Sequence, residues 1–145
     1  MDKLRTFELI VLLIGLGAVL LFLFSQLFKR QKARLRDEIE RSGEALLAGP
    51  DSGLYQGGSS YVSLKTQGVM ALTDRRLIFR KPIGGDIEIP LSQITGVSEN
   101  TWFQGNYRSG KPWLILSLAT GGDVAFMVGE HDHWFREIES RIRST

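Results

Sequence analysis

Cysteine is absent from the 145 residues. Its absence excludes a disulfide framework, a thiol nucleophile and any zinc site built on thiolates; it fits a reducing compartment without fixing one. Histidine is scarce, with only His131 and His133. Residues two apart do not share a helix face, and Glu130-His131-Asp132-His133 has no third well-placed ligand beside it in sequence. The stretch therefore reads as polar residues opening a helix, and no metal is expected. A nucleophile elbow and a glycine-rich phosphate loop are missing too, so no catalytic residue and no cofactor are expected and the chain is not read as an enzyme. The last absence is a surplus of one charge outside the first third of the chain. Residues 43–145 hold 10 Lys/Arg and 11 Asp/Glu, a balance of −1. Nucleic acid is excluded as a partner on that ground, because neutralising phosphates needs a concentrated basic face.

What the chain does have is a long apolar run. Residues 9–24 are sixteen apolar residues in succession, and the run extends to 7–28 across Ser25 and Gln26. A helix of about 20 residues spans a hydrocarbon core of about 30 Å. A soluble core helix would carry a polar stripe, and this one has none. The sequence predicts one transmembrane helix over 7–28, with Phe7, Leu9, Leu16, Leu21, Phe24 and Phe28 among its membrane-spanning residues. A cleaved signal peptide is the rival reading. The sole small-x-small site, Gly15-Leu16-Gly17, leaves six apolar residues before it, too short for the apolar region of a signal.

Residues 1–6 form a short tail, and residues 29–36 carry Lys29, Arg30, Lys32, Arg34 and Arg36 with no acid. The positive-inside rule then places the C-terminal domain in the cytoplasm and the tail outside, as a single-pass protein of the inner or plasma membrane. Residues 29–42 contain good helix formers, so the helix is expected to run on as a basic juxtamembrane segment, with Arg34/Glu38 and Asp37/Arg41 as i,i+4 pairs. The basic run could attract anionic headgroups or serve only as a topology signal. About 100 residues remain, room for one small domain over 43–145.

In that domain the period changes. Residues 45–48 are apolar and stop at Gly49-Pro50, and the pattern resumes over 53–56. Residues 61–64, 69–73, 76–81, 87–89, 95–103, 113–118 and 123–128 follow as strands, bounded by Gly, Pro, Asn and Asp. Leu91 to Ile94 reads as a single turn. Leu114, Leu116, Leu118, Val124, Phe126 and Val128 fall on inward faces. Trp134, Ile138 and Ile142 then stand at i, i+4 and i+8, with Phe135 beside them, marking an amphipathic helix of about twelve residues. The expected fold is a mainly-β barrel of about seven antiparallel strands, plugged by this C-terminal helix.

Two stretches carry a resemblance. GVMALTDRRLIF at 68–79, followed by IEIPLSQITGV at 87–97, resembles the GRAM and bacterial pleckstrin-homology-like (PH-like) families, which share G-x-x-x-LT-(N/D)-x-RLIF and then IPLS-x-I-x-x-V. Phe126 and Trp134 match the aromatic positions of the last strand and the helix. The resemblance covers roughly 43–145. It implies a bent seven-stranded sheet capped by a helix, with binding in place of catalysis. Phosphoinositide-binding members concentrate Lys and Arg on the first strands, whereas residues 57–67 here offer only Lys65.

The loop 102–111 (WFQGNYRSGK) is the most unusual surface in the sequence. Trp102, Phe103 and Tyr107 stand beside Arg108 and Lys111, the mixture that contact surfaces favour; alternatively an aromatic packs inward and the rest is a solvated tip. Two functional expectations follow: a scaffold for a protein partner at the inner membrane face, or a sensor of anionic lipid headgroups.

Overall fold

The computed structural model describes residues 2–58, 65–103, 105–107 and 110–143. One helix, α1 (Asp2–Ser42), runs without a break through the apolar segment and the basic one. It is the one helix among the described residues long and apolar enough to cross a membrane, and none of its apolar window is buried. It stops at Gly43, whose φ of 76° is a left-handed geometry that closes helices at little cost to glycine.

The strands follow as β1 (Leu46–Gly58), β2 (Thr66–Thr73), β3 (Arg76–Arg80), β4 (Asp86–Pro90), β5 (Ile94–Asn100), β6 (Trp102–Phe103), β7 (Asn106–Tyr107), β8 (Trp113–Leu118) and β9 (Gly122–Val128), and the chain ends in α2 (His131–Arg143). Seven strands form one antiparallel sheet in the order β4-β3-β2-β1-β9-β8-β5, and β6 and β7 pair as a separate hairpin. This is the architecture that the PH-like resemblance implies. The expected strand at 61–64 lies outside the described residues.

Three local readings differ from the sequence expectation. The runs 45–48 and 53–56 belong to one strand, β1, which passes through Gly49-Pro50 by a bulge and pairs first with β2 and then with β9. Gly49 makes this passage: its φ is 78°, and a Cβ there would lie 2.5 Å from the Met70 carbonyl oxygen and 3.1 Å from Trp134. The expected strand 95–103 is divided, because the chain leaves β8 after Asn100 and turns into the hairpin. The expected loop 102–111 contains both β6 and β7, paired as that hairpin.

The inner face of the bent sheet holds the core. Tyr55, Phe79 and Phe126 meet with ring centroids 5.3–5.9 Å apart, and Leu77, Leu114, Leu116 and Val124 surround them. Trp134 and Ile138 close the core from α2, with Phe135 and Ile142 packed at its margin. The Trp134 indole N–H donates to Asp51 Oδ2 at 2.9 Å, so the one polar atom of this buried ring is satisfied.

The outer face is covered twice. Strand alternation turns Val69, Ala71 and Ile78 outward, and Leu35 and Ile39 of α1, one helical turn apart, bury themselves on them, with Phe28 alongside. Elsewhere Leu54, Trp113, Ile115 and Ala125 point outward and are covered by Phe103 of the hairpin.

Candidate functional site

The helix that carries the apolar segment is fastened to the sheet at three levels. Besides the Leu35/Ile39 contact, Arg80 holds both Glu38 (2.6 Å) and Asp86 (2.8 Å); hydrogen bonds to these two carboxylates keep its guanidinium charged above its usual value. Glu38 thus serves β3, not the expected pair with Arg34. Below it, the Thr73 hydroxyl donates to Glu44 (2.6 Å), Arg76 pairs with Glu44 (3.0 Å), and Ala45 and Asp74 exchange hydrogen bonds at 3.0 Å. The Thr73-Asp74-Arg75-Arg76 stretch is therefore the seat for the α1–β1 junction.

Burial pushes the Glu44 carboxyl up. The hydrogen bonds from Thr73 and Arg76, with the Arg76 charge, outweigh it and hold the group below its ordinary 4.5. A carboxyl depressed on folding contributes stability above its unfolded value, and that contribution is lost as pH falls through the folded one. Unfolding titrations should show the native chain losing stability below about pH 4.5 more steeply than Glu44→Gln, with the two curves converging at the lowest pH.

These contacts orient the domain. Phe28 lies by Gln67 and Gly68 at the start of β2, and Glu44 lies by Thr73 at its end. The docked part of α1 therefore runs along β2, and the apolar segment leaves the domain beyond the start of that strand. Beneath Phe28 is a groove of about 460 Å³ where β1 bends between its two partners. Leu54, Met127 and Pro112 give it apolar walls, Lys111 and His131 also line it, and among the described residues no carboxylate does.

Beyond this groove the hairpin presents Trp102 and Tyr107, opposite each other in register and stacked at 5.2 Å. Both are more than half exposed, at 58% and 52%.

A second surface lies across the sheet. β5 is an edge strand beside α2, and Glu99, Asp132, Phe135 and Arg136 line a groove of about 350 Å³ there. His131 Nε2 stands 2.5 Å from Glu99 Oε2 and ties α2 to this strand. Glu99, His131 and Asp132 bring three donor atoms within 4.8 Å of one another. Glu99 is the third donor that the local sequence did not supply. The 2.5 Å separation is a hydrogen bond, shorter than ligands of one tetrahedral zinc at about 2.0–2.1 Å allow. Among the described residues the second ring nitrogen also lacks the partner that ligating histidines usually have.

No family model and no curated protein matches the sequence. Solved structures are similar in fold. The crystal structure of the C-terminal domain of an unknown protein from Leishmania infantum superposes with a TM-score of 0.54, at 15% identity, over 77% of this chain and 96% of that one. A structure of Vav1 with an allosteric inhibitor matches at a TM-score of 0.46 and 17% identity, over 67% of this chain and 26% of the Vav1 chain. At 15% identity the L. infantum domain speaks for the fold alone.

Of the loop residues singled out in sequence, the structure exposes Trp102, Tyr107 and Lys111 and buries Phe103 against the sheet. Arg108 lies outside the described residues. Lys29, Arg30, Arg34 and Arg36 are exposed and Lys32 is half-buried. The residues that sequence reasoning missed are Leu35 and Ile39. Their signal was present, two apolar positions four apart in a charged helix, and its meaning depended on a sheet face distant in sequence.

Proposed function

We propose that this chain is a membrane-anchored binding module of the PH-like or GRAM-like kind, without enzymatic activity. Its domain faces the cytoplasm, and it serves as a scaffold for a protein partner at the inner membrane face. Orientation follows from the basic run after the apolar segment. A domain already held at the membrane by α1 needs no lipid affinity to get there.

The observation that carries the reading is the contrast between the two sheet edges. β4 ends on Pro90, and its Asp86 and Glu88 side chains are engaged by Arg80 and Arg76, the devices that blunt an edge against added strands. β5 has no proline, exposes Thr95, Ser98, Glu99 and Asn100, and borders the groove under α2. An extended segment could add to β5 through main-chain hydrogen bonds while a side chain enters that groove.

Site-specific photo-crosslinking in cells tests this. A photoreactive residue at Ser98 should give a discrete protein adduct, and one at Glu88 on β4 should give none. Arg136→Glu, on the groove rim, should lower the Ser98 adduct by about tenfold, the size of effect expected for a contact residue. Equal labelling from both edges, or none from Ser98, would remove the edge-strand reading.

A further inference from the structure

We infer that the face of α1 turned away from the sheet is an interface between two copies of this chain. The two helices lie side by side and parallel across a twofold axis, with Gln26 of one copy bonded to Gln26 of the other. The inference rests on reading α1 as membrane-spanning and is independent of the β5 edge.

The first ground is a polar group inside an apolar segment. Ser25 and Gln26 are the polar residues of 9–28. A serine hydroxyl can bond back to its own helix. A glutamine amide has two N–H donors and a carbonyl acceptor to satisfy, and the Gln26 side chain makes no hydrogen bond among the described residues. Hydrocarbon supplies no partner for it. An amide is its own complement: each N–H donates to the carbonyl oxygen of an identical group, and the twofold axis doubles the bond. Glutamine is among the side chains that join membrane helices in this way.

The second ground is direction. Gln26 precedes Leu35 by nine residues, about two and a half turns, so it points directly away from the sheet that buries Leu35. Gly15, Val19 and Ala33 fall on the same side of the helix. Nothing lies within 4 Å of where a Gly15 Cβ would stand, which lets two backbones approach closely there. The opposite side is occupied: Leu35 and Ile39 carry their own domain, with Phe28 alongside. A symmetric pair through that side would drive the two domains into each other. Through the Gln26 side, the domains point outward as the helices close.

The third ground is charge. Below the apolar segment this face carries Arg30 and Asp37 on either side of Ala33, both exposed and neither ion-paired among the described residues. Each copy therefore brings both signs to the seam, and a twofold axis sets them against each other.

The test exploits the absence of cysteine, which makes any single introduced thiol the only one in the chain. The full chain is placed in phosphatidylcholine vesicles, recovered by flotation and oxidised. Val19→Cys and Phe22→Cys, on the Gln26 side, should couple to disulfide-linked dimers. Leu21→Cys and Phe24→Cys, on the domain side, should couple about tenfold less, because their Cα atoms stay too far apart. In the Val19→Cys chain, Gln26→Leu should move the midpoint of a lipid-dilution series about tenfold towards higher protein. Gln26→Asn should restore most of the coupling, and Phe24→Leu should change nothing. Equal coupling at all four positions is random collision and overturns the interface, as does a preference for Leu21 and Phe24. Coupling on the expected side that is indifferent to Gln26→Leu overturns the amide pair. No coupling in floated vesicles overturns the dimer and leaves the anchor standing. A chain that does not float with the vesicles overturns the anchor and the dimer together.

Discussion

Leu35→Ala is expected to lower the unfolding free energy of the domain by about 2–5 kcal/mol, the range for deleting a buried leucine side chain. Leu35 is 1% exposed although it sits in the most charged part of the sequence, and its neighbours are Ile39 and the outward-facing Val69, Ala71 and Ile78. Truncation would leave a cavity between helix and sheet that neither can close without breaking the Glu38–Arg80 and Glu44–Arg76 pairs flanking it. Denaturant unfolding of the full chain in detergent, followed by tryptophan fluorescence, measures the loss. Spin labels on α1 and β3 give the second readout, since an undocked helix broadens the distance distribution between them. A variant that unfolds like the native chain and keeps a narrow distribution would show that α1 is a tether with no structural part in the domain.

Trp134→Ala is expected to cost about 3–5 kcal/mol, because this ring fills the opening of the barrel. It is fully buried, it touches the bulge at Gly49, and its N–H satisfies Asp51. Trp134→Phe separates the terms: it keeps most of the apolar contact and leaves the carboxylate unpaired, so a loss of about 1–3 kcal/mol is expected. Thermal unfolding of the three proteins orders them native, Phe, Ala. If Ala were no worse than Phe, the hydrogen bond would outweigh the packing and the plug would be a polar one.

Both effects bear on function through geometry. A domain seated rigidly on α1 keeps a fixed bearing to the apolar segment of that helix. The groove under Phe28 and the β5 edge, on the far half of the sheet, are thereby kept at fixed positions relative to α1. A loose linker at residues 29–42 would average both positions away, and the contacts of Leu35, Glu38 and Ile39 prevent it.

Much of this was legible in the residues themselves. The uninterrupted apolar run, the alternation of Leu77 and Phe79 against Ile78, the inward Leu114, Leu116 and Leu118, and the Trp134/Ile138 spacing all match the observed faces. The stretch that resembles PH-like domains pointed to the same sheet, and its Thr73 and Arg76 turn out to hold the α1 junction. These features are local. A period of 3.6 or 2 is written along the chain, and burial only has to agree with it.

The sequence by itself determined the apolar segment, the strand and helix periods and the neutral character of the domain. The tertiary structure alone decided that Leu35 and Ile39 are core, that Glu38 belongs to Arg80, that Glu99 reaches His131, and that Lys111 lies beneath Phe28. Each of those pairings joins residues 32 or more positions apart, up to 83 between Phe28 and Lys111. Which groups meet at such separations depends on strand register and on how far β1 bends. Both are set by the packing of the whole sheet, and no local pattern carries them.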